Sequence, residues 1–171
     1  MAFATLTIQG RAVSGLGPEI QNAWKGDNTT LYTRGQLLQK KNDGTVVPAV
    51  AGHATLGIHL VYTGATLTAA TADFVTVSEI TEDTRFDVQA LGDTAAQADI
   101  GDEYDYEVSV SAPFLWGINM NTASSSGLGT DLQITQIYAN THDYDTGSDE
   151  AGAEGIVQVK LRSARMTAAP A

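Results

Sequence analysis

The chain of 171 residues contains no cysteine. This absence excludes a disulfide scaffold, a thiolate zinc site and a cysteine nucleophile, and it leaves the redox compartment of the protein open. Bases are also scarce, since 9 Lys and Arg stand against 20 Asp and Glu and give a formal net charge of −11. A chain this acidic does not bind phosphate backbones by counterion release, and anionic membrane surfaces repel it. We therefore expect no direct nucleic-acid partner and no membrane partner.

Long apolar runs are missing as well. No stretch approaches the ~18 apolar residues of a membrane-spanning helix. The first ten residues show no basic region followed by an apolar core, so they do not predict a signal peptide, and we expect synthesis and folding in the cytoplasm. Leu, Ile, Val and Phe number only 38, whereas Ala, Thr and Gly number 62. So lean a core favours a homo-oligomer in which partner subunits supply part of the stability.

The charge is distributed unevenly along the chain. Residues 73–155 hold 17 acids and a single base, Arg85. Residues 1–48 hold five bases and three acids, and residues 156–171 hold three bases and no acid. The sequence therefore predicts mildly basic ends around a strongly acidic body.

Apolar and polar residues alternate in several segments, which is typical of strands with one buried face. The clearest case is 103–110, where Tyr104 and Tyr106 fall on one face and acids on the other. The turn Asn42-Asp43-Gly44 predicts a hairpin between 31–40 and 44–50. Helix is limited to short turns near 18–24 and 94–98. Further strands are expected at 3–8, 56–62, 74–80, 84–90, 131–139 and 157–162.

These patterns predict an all-β fold: a compact β-barrel or β-sandwich of short antiparallel strands, with long loops and an extended N-terminal arm. We divide the chain into an N-terminal arm and irregular segment (1–28), a single β domain (29–162) and a short flexible tail (163–171). The sequence shows no fixed-period internal repeat. For residues 1–28, packing on the chain's own barrel is the alternative to a free arm.

Residue patterns that carry chemistry are weak. His53, His59 and His142 are isolated, and no serine stands in the sequence context of a nucleophile. The acidic loop 141–155 resembles the front of a calcium-binding loop, but its glycine comes one place early and flanking helices are not expected, so a solvated acidic turn is favoured. The acids at 103, 105 and 107 have the spacing of paired catalytic carboxylates, but the tyrosines between them point the opposite way. The sequence thus predicts a protein that is not an enzyme, with no catalytic, cofactor-binding or metal-binding residues and no cofactor.

One stretch has a recognisable order of features. Tyr32-Thr33-Arg34-Gly35 leads through the Asp43-Gly44 turn to Val47-Pro48-Ala49. Together with segments 85–90, 100–106, 127–134 and 157–159, this stretch resembles the decoration, or cement, proteins of tailed-bacteriophage heads. The resemblance covers about residues 29–162.

The resemblance implies a structural role in the virion. Such proteins are small β domains that sit on the outer surface of the assembled capsid and bridge neighbouring major capsid proteins. They do so as trimers more often than dimers, and often through an N-terminal arm. The resemblance therefore implies a host-cytoplasmic product that becomes part of the outer capsid surface, with the major capsid protein and further copies of itself as partners.

Six residues are candidate contacts with the capsid. The apolar Phe3, Leu6 and Ile8 form a strand-like run that can add to a sheet edge of another protein. Arg11, Trp24 and Lys25 follow, and Trp and Arg are frequent anchors of interfaces. Other functions stay open: a β-sandwich binding module for carbohydrate or calcium, a tail-tube-type virion subunit, and a hydrolase that uses the acidic residues.

Overall fold

A computed structural model describes residues 6, 9–41, 43–49, 59–70, 73–81, 83–109, 114–123, 131–138, 141–143, 148–151 and 155–161. These residues form sixteen strands and one short 3-10 helix, so the predicted all-β fold is confirmed. The strands are β1 (Arg11–Ser14), β2 (Glu19–Gly26), β3 (Leu31–Tyr32), β4 (Leu37–Lys40), β5 (Thr45–Pro48), β6 (His59–Tyr62), β7 (Leu67–Thr68), β8 (Phe74–Glu79), β9 (Arg85–Leu91), β10 (Ala95–Ala96), β11 (Glu103–Val108), β12 (Trp116–Ala123), β13 (Asp131–Ile137), β14 (Thr141–Asp143), β15 (Ser148–Ala151) and β16 (Ile156–Leu161). The 3-10 helix is Gln97–Asp99.

The first barrel closes in the strand order β2-β5-β4-β6-β8. Its β2 and β5 are parallel, and its other four pairs are antiparallel. The predicted Asp43-Gly44 hairpin is confirmed, because β4 and β5 pair on either side of it and Gly44 has a φ of 85° that suits glycine. The interior is filled by buried side chains, namely Tyr32, Leu38, Val46, Leu60, Tyr62, Ala69, Val75 and Val77.

The second barrel is formed by β9, β12, β11, β13 and β16, and the pairing of β16 with β9 closes the ring. Strand β1 lies beside the first residues of β9. The predicted alternation holds in β11, where Tyr106 is buried in the core. The small remaining sheets are β3 with β7, and β10 with β15 and β14.

The two barrels repeat one topology. In chain order, β2, β4, β5, β6 and β8 of the first barrel correspond to β9, β11, β12, β13 and β16 of the second. Each barrel is ordered first-third-second-fourth-fifth, and in each the first and third strands form the parallel pair. The similarity was not predicted, because the sequence carries no periodic motif.

The register of the pairs agrees as well. In the first barrel Val77 of β8 pairs with Ile20 of β2 and with Tyr62 of β6. At the corresponding place Val159 of β16 pairs with Phe86 of β9 and with Ile134 of β13. The shared backbone positions therefore carry different side chains, which explains why no repeat is visible in the sequence.

Two hydrogen bonds recur at matching positions. Gly26 N donates to Asp73 O at 3.0 Å in the first barrel, and Ala90 N donates to Gly155 O at 2.9 Å in the second. The hydroxyl of Thr63 donates to Thr76 O at 3.4 Å, and that of Thr135 donates to Gln158 O at 3.2 Å. The equivalence of the barrels thus extends from strand order to individual bonds.

The N-terminal part differs from the expectation. The helical turns predicted at 18–24 are wrong, because Glu19–Gly26 is a strand of the first barrel. Of the segment 1–28 predicted as an arm, β1 and β2 therefore belong to sheets of this chain, and the first barrel begins ten residues before the predicted boundary of the β domain. Residues 1–5, 7 and 8 and the tail from 162 onward lie outside the described residues.

The short turn predicted at 94–98 is also displaced. The structure has a 3-10 helix at Gln97–Asp99. The carboxylate that stabilises this turn is Asp99, which accepts a hydrogen bond from Ala96 N at 2.7 Å. Asp93, which directly precedes the predicted turn, instead accepts a hydrogen bond from Thr94 N.

Trp116 lies where the two barrels meet. Its indole is fully buried, packs edge-on against Phe86 with ring centroids 5.1 Å apart, and donates from Nε1 to Gly35 O at 3.0 Å. Gly10 lies so close to the indole that a Cβ there would overlap it. The core around Trp116 also takes in Leu37 and Val61 of the first barrel. One side chain thus contacts both barrels and the N-terminal segment.

Replacing Trp116 by Ala should lower the free energy of unfolding by about 3–5 kcal/mol, because it leaves a cavity at the junction and an unpaired carbonyl at Gly35. Urea unfolding followed by far-UV circular dichroism measures this loss. Trp24→Ala is the matched control, since Trp24 is only half-buried. We expect a smaller loss for the control, and equal losses would contradict the bridging role of Trp116.

Candidate interaction surface

The six predicted contact residues do not lie together. Phe3 and Ile8 lie outside the described residues. Leu6 is only 7% exposed and packs close to Gly117 of the second barrel. Leu6 is therefore a core residue here, and its prediction as a surface contact is corrected.

Arg11 lies on the outside of the second barrel, on β1. Its side chain is 77% exposed, and its Nη2 is 3.5 Å from Asp87 Oδ2. An exposed ion pair of this length contributes little stability. Beside it, burial and a hydrogen bond with Asp87 raise the pKa of Tyr138, whose hydroxyl accepts a hydrogen bond from Gln158 Nε2. Arg11 is thus accessible to a partner but stands apart from Trp24 and Lys25.

Trp24 and Lys25 lie at one end of the first barrel, where two further side chains join them. Lys25 pairs with Phe74 across β2 and β8, and its Nζ lies 6.0 Å from the centre of the Phe74 ring. Lys40 Nζ lies 5.8 Å from the centre of the Trp24 ring. Phe74 is 44% exposed, which is unusual for a large apolar side chain. We call Trp24, Lys25, Lys40 and Phe74 the lysine–aromatic rim.

The four residues of the rim differ in how far they are buried. Trp24 pairs with Val75 and packs against the barrel interior, and Lys40 sits over its ring. Lys25 and Phe74 are the more exposed members. A cation over an aromatic face is attracted by the ring's quadrupole, by about 0.5–1 kcal/mol at exposed sites. These contacts hold both ammonium groups near the rim.

The lysines of this end differ in their partners. Lys41 Nζ lies 3.0 Å from Asp27 Oδ2 and 3.8 Å from Asp43 Oδ2, and its pKa is raised, chiefly by the hydrogen bond with Asp27. Hydrogen bonds from Thr45 lower the pKa of Asp43. Within the part of the chain that the structure describes, neither Lys25 nor Lys40 forms an ion pair. Their charges remain available to an external carboxylate.

The rim lies at the end of the first barrel that faces away from the second barrel. The first-barrel residues that join the core of the second come from the start of β4 and the far ends of β5, β6 and β8, namely Leu37, Ala49, Val61 and Ile80. Rim residues come from the opposite ends of the same strands, with Lys40 closing β4 and Phe74 opening β8. Ile80 lies six positions along the extended chain from Phe74, a distance of about 20 Å.

The charge differs strongly between the barrels. Residues 19–79 hold five acids and four bases, whereas residues 85–161 hold 13 acids and two bases. Acids of β11 lie partly buried, and Glu107 accepts a hydrogen bond from Asn119 at 3.2 Å. The predicted acidic body therefore corresponds to the second barrel, and the rim is remote from it.

Sites suggested by isolated histidines and acids gain no support. His59 lies in β6 and His142 in β14, whereas His53 lies outside the described residues, as do 144–147 and 152–154 of the acidic loop. In the described ranges no three His, Asp or Glu side chains are grouped closely enough to hold a metal ion. The same ranges contain no helix with the length and apolarity needed to cross a membrane.

Lys40 and Phe74 were not predicted as surface contacts. Lys40 ends the predicted strand 31–40, and Phe74 begins the predicted strand 74–80. Neither position is unusual in sequence, because the interest of both depends on which strands become neighbours. An aromatic residue at the first position of a strand, directly after Asp73, is the one signal that could have pointed to Phe74.

Comparison of the chain with protein-family models, with curated proteins and with solved structures finds no match.

The pH dependence of stability should report on Tyr104, which donates a hydrogen bond to Asp99 Oδ1 at 3.1 Å. Burial first, and then Asp99, raises the pKa of Tyr104 from 10.0 to about 12. Because the folded state holds this proton more tightly than the unfolded chain, the stabilisation is complete below pH 10 and is lost as the pH rises towards 12. Urea midpoints across this range should fall less steeply for Tyr104→Phe than for the unaltered chain. Parallel slopes would contradict the assignment.

Proposed function

We propose that this chain is a non-enzymatic structural protein of a tailed-bacteriophage virion. It binds the outer surface of the capsid and stabilises the shell by bridging major capsid proteins, as a homo-oligomer in which a trimer is favoured over a dimer. No cofactor and no chemical step are required for this role, because stabilisation comes from binding energy alone.

The observation that carries the proposal is that the resembling segments are neighbours in space. Segments 100–106 and 127–134 contribute the paired strands β11 and β13. Segments 85–90 and 157–159 contribute the paired strands β9 and β16. Segment 29–49 contains the hairpin of the first barrel. Strands from four segments that are far apart in sequence thus join in the ring of the second barrel, which supports a resemblance of whole domains over a chance likeness of turns.

The surface of the molecule suits a bridging role. One end of the first barrel presents aromatic rings with two lysines, while the second barrel carries most of the negative charge. Aromatic residues are enriched where protein interfaces are buried. An acidic outer surface keeps decorated particles apart in solution by mutual repulsion. The two barrels therefore divide the tasks of contact and solubility.

Truncation of the N-terminus is a poor test of this proposal. A deletion through residue 12 would remove Leu6 and Gly10 from the core around Trp116 and part of β1 from the sheet. Loss of binding after such a deletion would reflect unfolding as readily as loss of an arm. Single substitutions at exposed positions are the cleaner test.

The purified chain should decorate expanded, empty heads assembled from the major capsid protein encoded in the same genome. Cryo-electron microscopy should show ordered density at junctions between capsomers, and analytical ultracentrifugation of the chain alone should show its oligomeric state. Unexpanded heads are the control and should stay bare, since the contact bridges capsid proteins in their expanded arrangement. Bare expanded heads would contradict the proposal, and rings or tubes of the chain in negative stain would favour a tail-tube subunit.

A further inference from the structure

The equivalence of the two barrels reveals where the first departs from the shared pattern. Between the pairs Ile20–Val77 and Trp24–Val75, three residues of β2 face one residue of β8. In the second barrel the corresponding strands run in step, with Phe86 opposite Val159 and Val88 opposite Val157. Strand β2 therefore contains a two-residue bulge, within which Asn22 adopts a positive φ of 59°. Bulges of this kind redirect the side chains that follow them.

Trp24 and Lys25 of the rim follow this bulge directly in β2. By strand register, Trp24 matches Val88 and Lys40 matches Tyr106, and both of these second-barrel residues are buried. Lys25 matches Gln89, which is also fully buried. At the rim, half-exposed or exposed side chains occupy the same backbone positions. The first barrel thus leaves open an end that the second barrel fills with core side chains.

The requirements of folding do not explain why exposed side chains occupy these positions in the first barrel. The equivalent Val88 and Tyr106 show that the same framework accepts a fully buried core at these positions. Exposed Phe74 and half-exposed Trp24 forgo part of the stabilisation that burial of aromatic rings gives. Aromatic rings left partly exposed in this way are the kind of side chain that protein interfaces bury, since aromatic residues are enriched there.

We infer that the lysine–aromatic rim docks on an acidic protein surface, and that this surface belongs to the capsid shell. The second half of this inference rests on the proposed function. Lys25 and Lys40 form no ion pair within the described residues, and aromatic rings hold both ammonium groups at the rim. The matching surface therefore carries carboxylates around an apolar spot that receives Phe74 and the edge of Trp24.

The position of the rim selects the shell over a second copy of this chain. The rim occupies the end of the first barrel remote from the second, so end-on docking holds the acidic barrel away from the partner. A second copy would bring its acidic barrel to the rim, and such a head-to-tail contact between opposite ends of the molecule leads to open filaments and not to the closed oligomer proposed above. The shell as occupant is compatible with a closed oligomer.

The test compares charge reversals on the two barrels. K25E/K40E should weaken binding to the expanded heads by about tenfold or more, whereas K160E, a reversal at a half-buried lysine on β16 of the second barrel, should leave binding unchanged. Co-sedimentation with the heads gives the affinities, and thermal melting confirms that each variant is folded. Phe74→Ala provides a second rim variant that alters no charge, and it should also weaken binding.

The outcomes separate the two proposals. If the unaltered chain does not bind expanded heads, the proposed function fails and this inference fails with it. If the unaltered chain binds and the folded rim variants bind equally well, the rim inference alone is overturned. Equal weakening by K160E would mean a general charge effect and would also overturn it. Sedimentation of the chain alone that depends on Lys25 and Lys40, with head binding unaffected, would assign the rim to a second copy.

Discussion

The buried indole of Trp116 is the contact on which the arrangement of the molecule depends. It hydrogen-bonds to Gly35 of the first barrel, packs on Phe86 of the second and closes over Gly10 of the N-terminal segment. Because an indole has a large apolar area and a single polar group, it can join three parts and still leave no unpaired donor. The segment from residue 9 to β1 is thereby tied to the barrels, which limits how much of the N-terminus is free to act as an arm.

The strands themselves were predictable, because alternation reports which side of a strand is buried. The Asp43-Gly44 hairpin and the alternation around Tyr106 follow from such local patterns. Closure of the second barrel does not follow from local patterns. The pairing of β9 with β16 joins residues about 70 positions apart and depends on the energy of the whole sheet. The two tryptophans illustrate the limit. Residue type alone does not indicate that Trp116 is buried and Trp24 lies at a rim.

The repeated topology shows how much of a β-barrel is set by its backbone. Both barrels conserve strand order, the parallel pair and two matching hydrogen bonds, yet Ile20 and Tyr62 correspond to Phe86 and Ile134. Cores accept different apolar side chains provided that volume and alternation are kept. Where the second barrel keeps apolar or uncharged side chains and the first has lysines, packing no longer explains the choice. The distinct character of the rim depends on the pairing register of the two barrels, and so it is not visible in the sequence.

The uneven charge of the two barrels affects how the molecule is oriented on an acidic partner more than how tightly it binds that partner. At physiological ionic strength the Debye length is about 8 Å, whereas about 20 Å of strand separates Phe74 from the junction with the acidic barrel. The 13 acids of residues 85–161 are therefore largely screened from a partner at the rim and do little to oppose its approach. A molecule that approaches an acidic surface with the second barrel first meets unscreened repulsion at contact. The chain can thus be strongly acidic and still bind an acidic partner, provided that it binds through the far end of the first barrel.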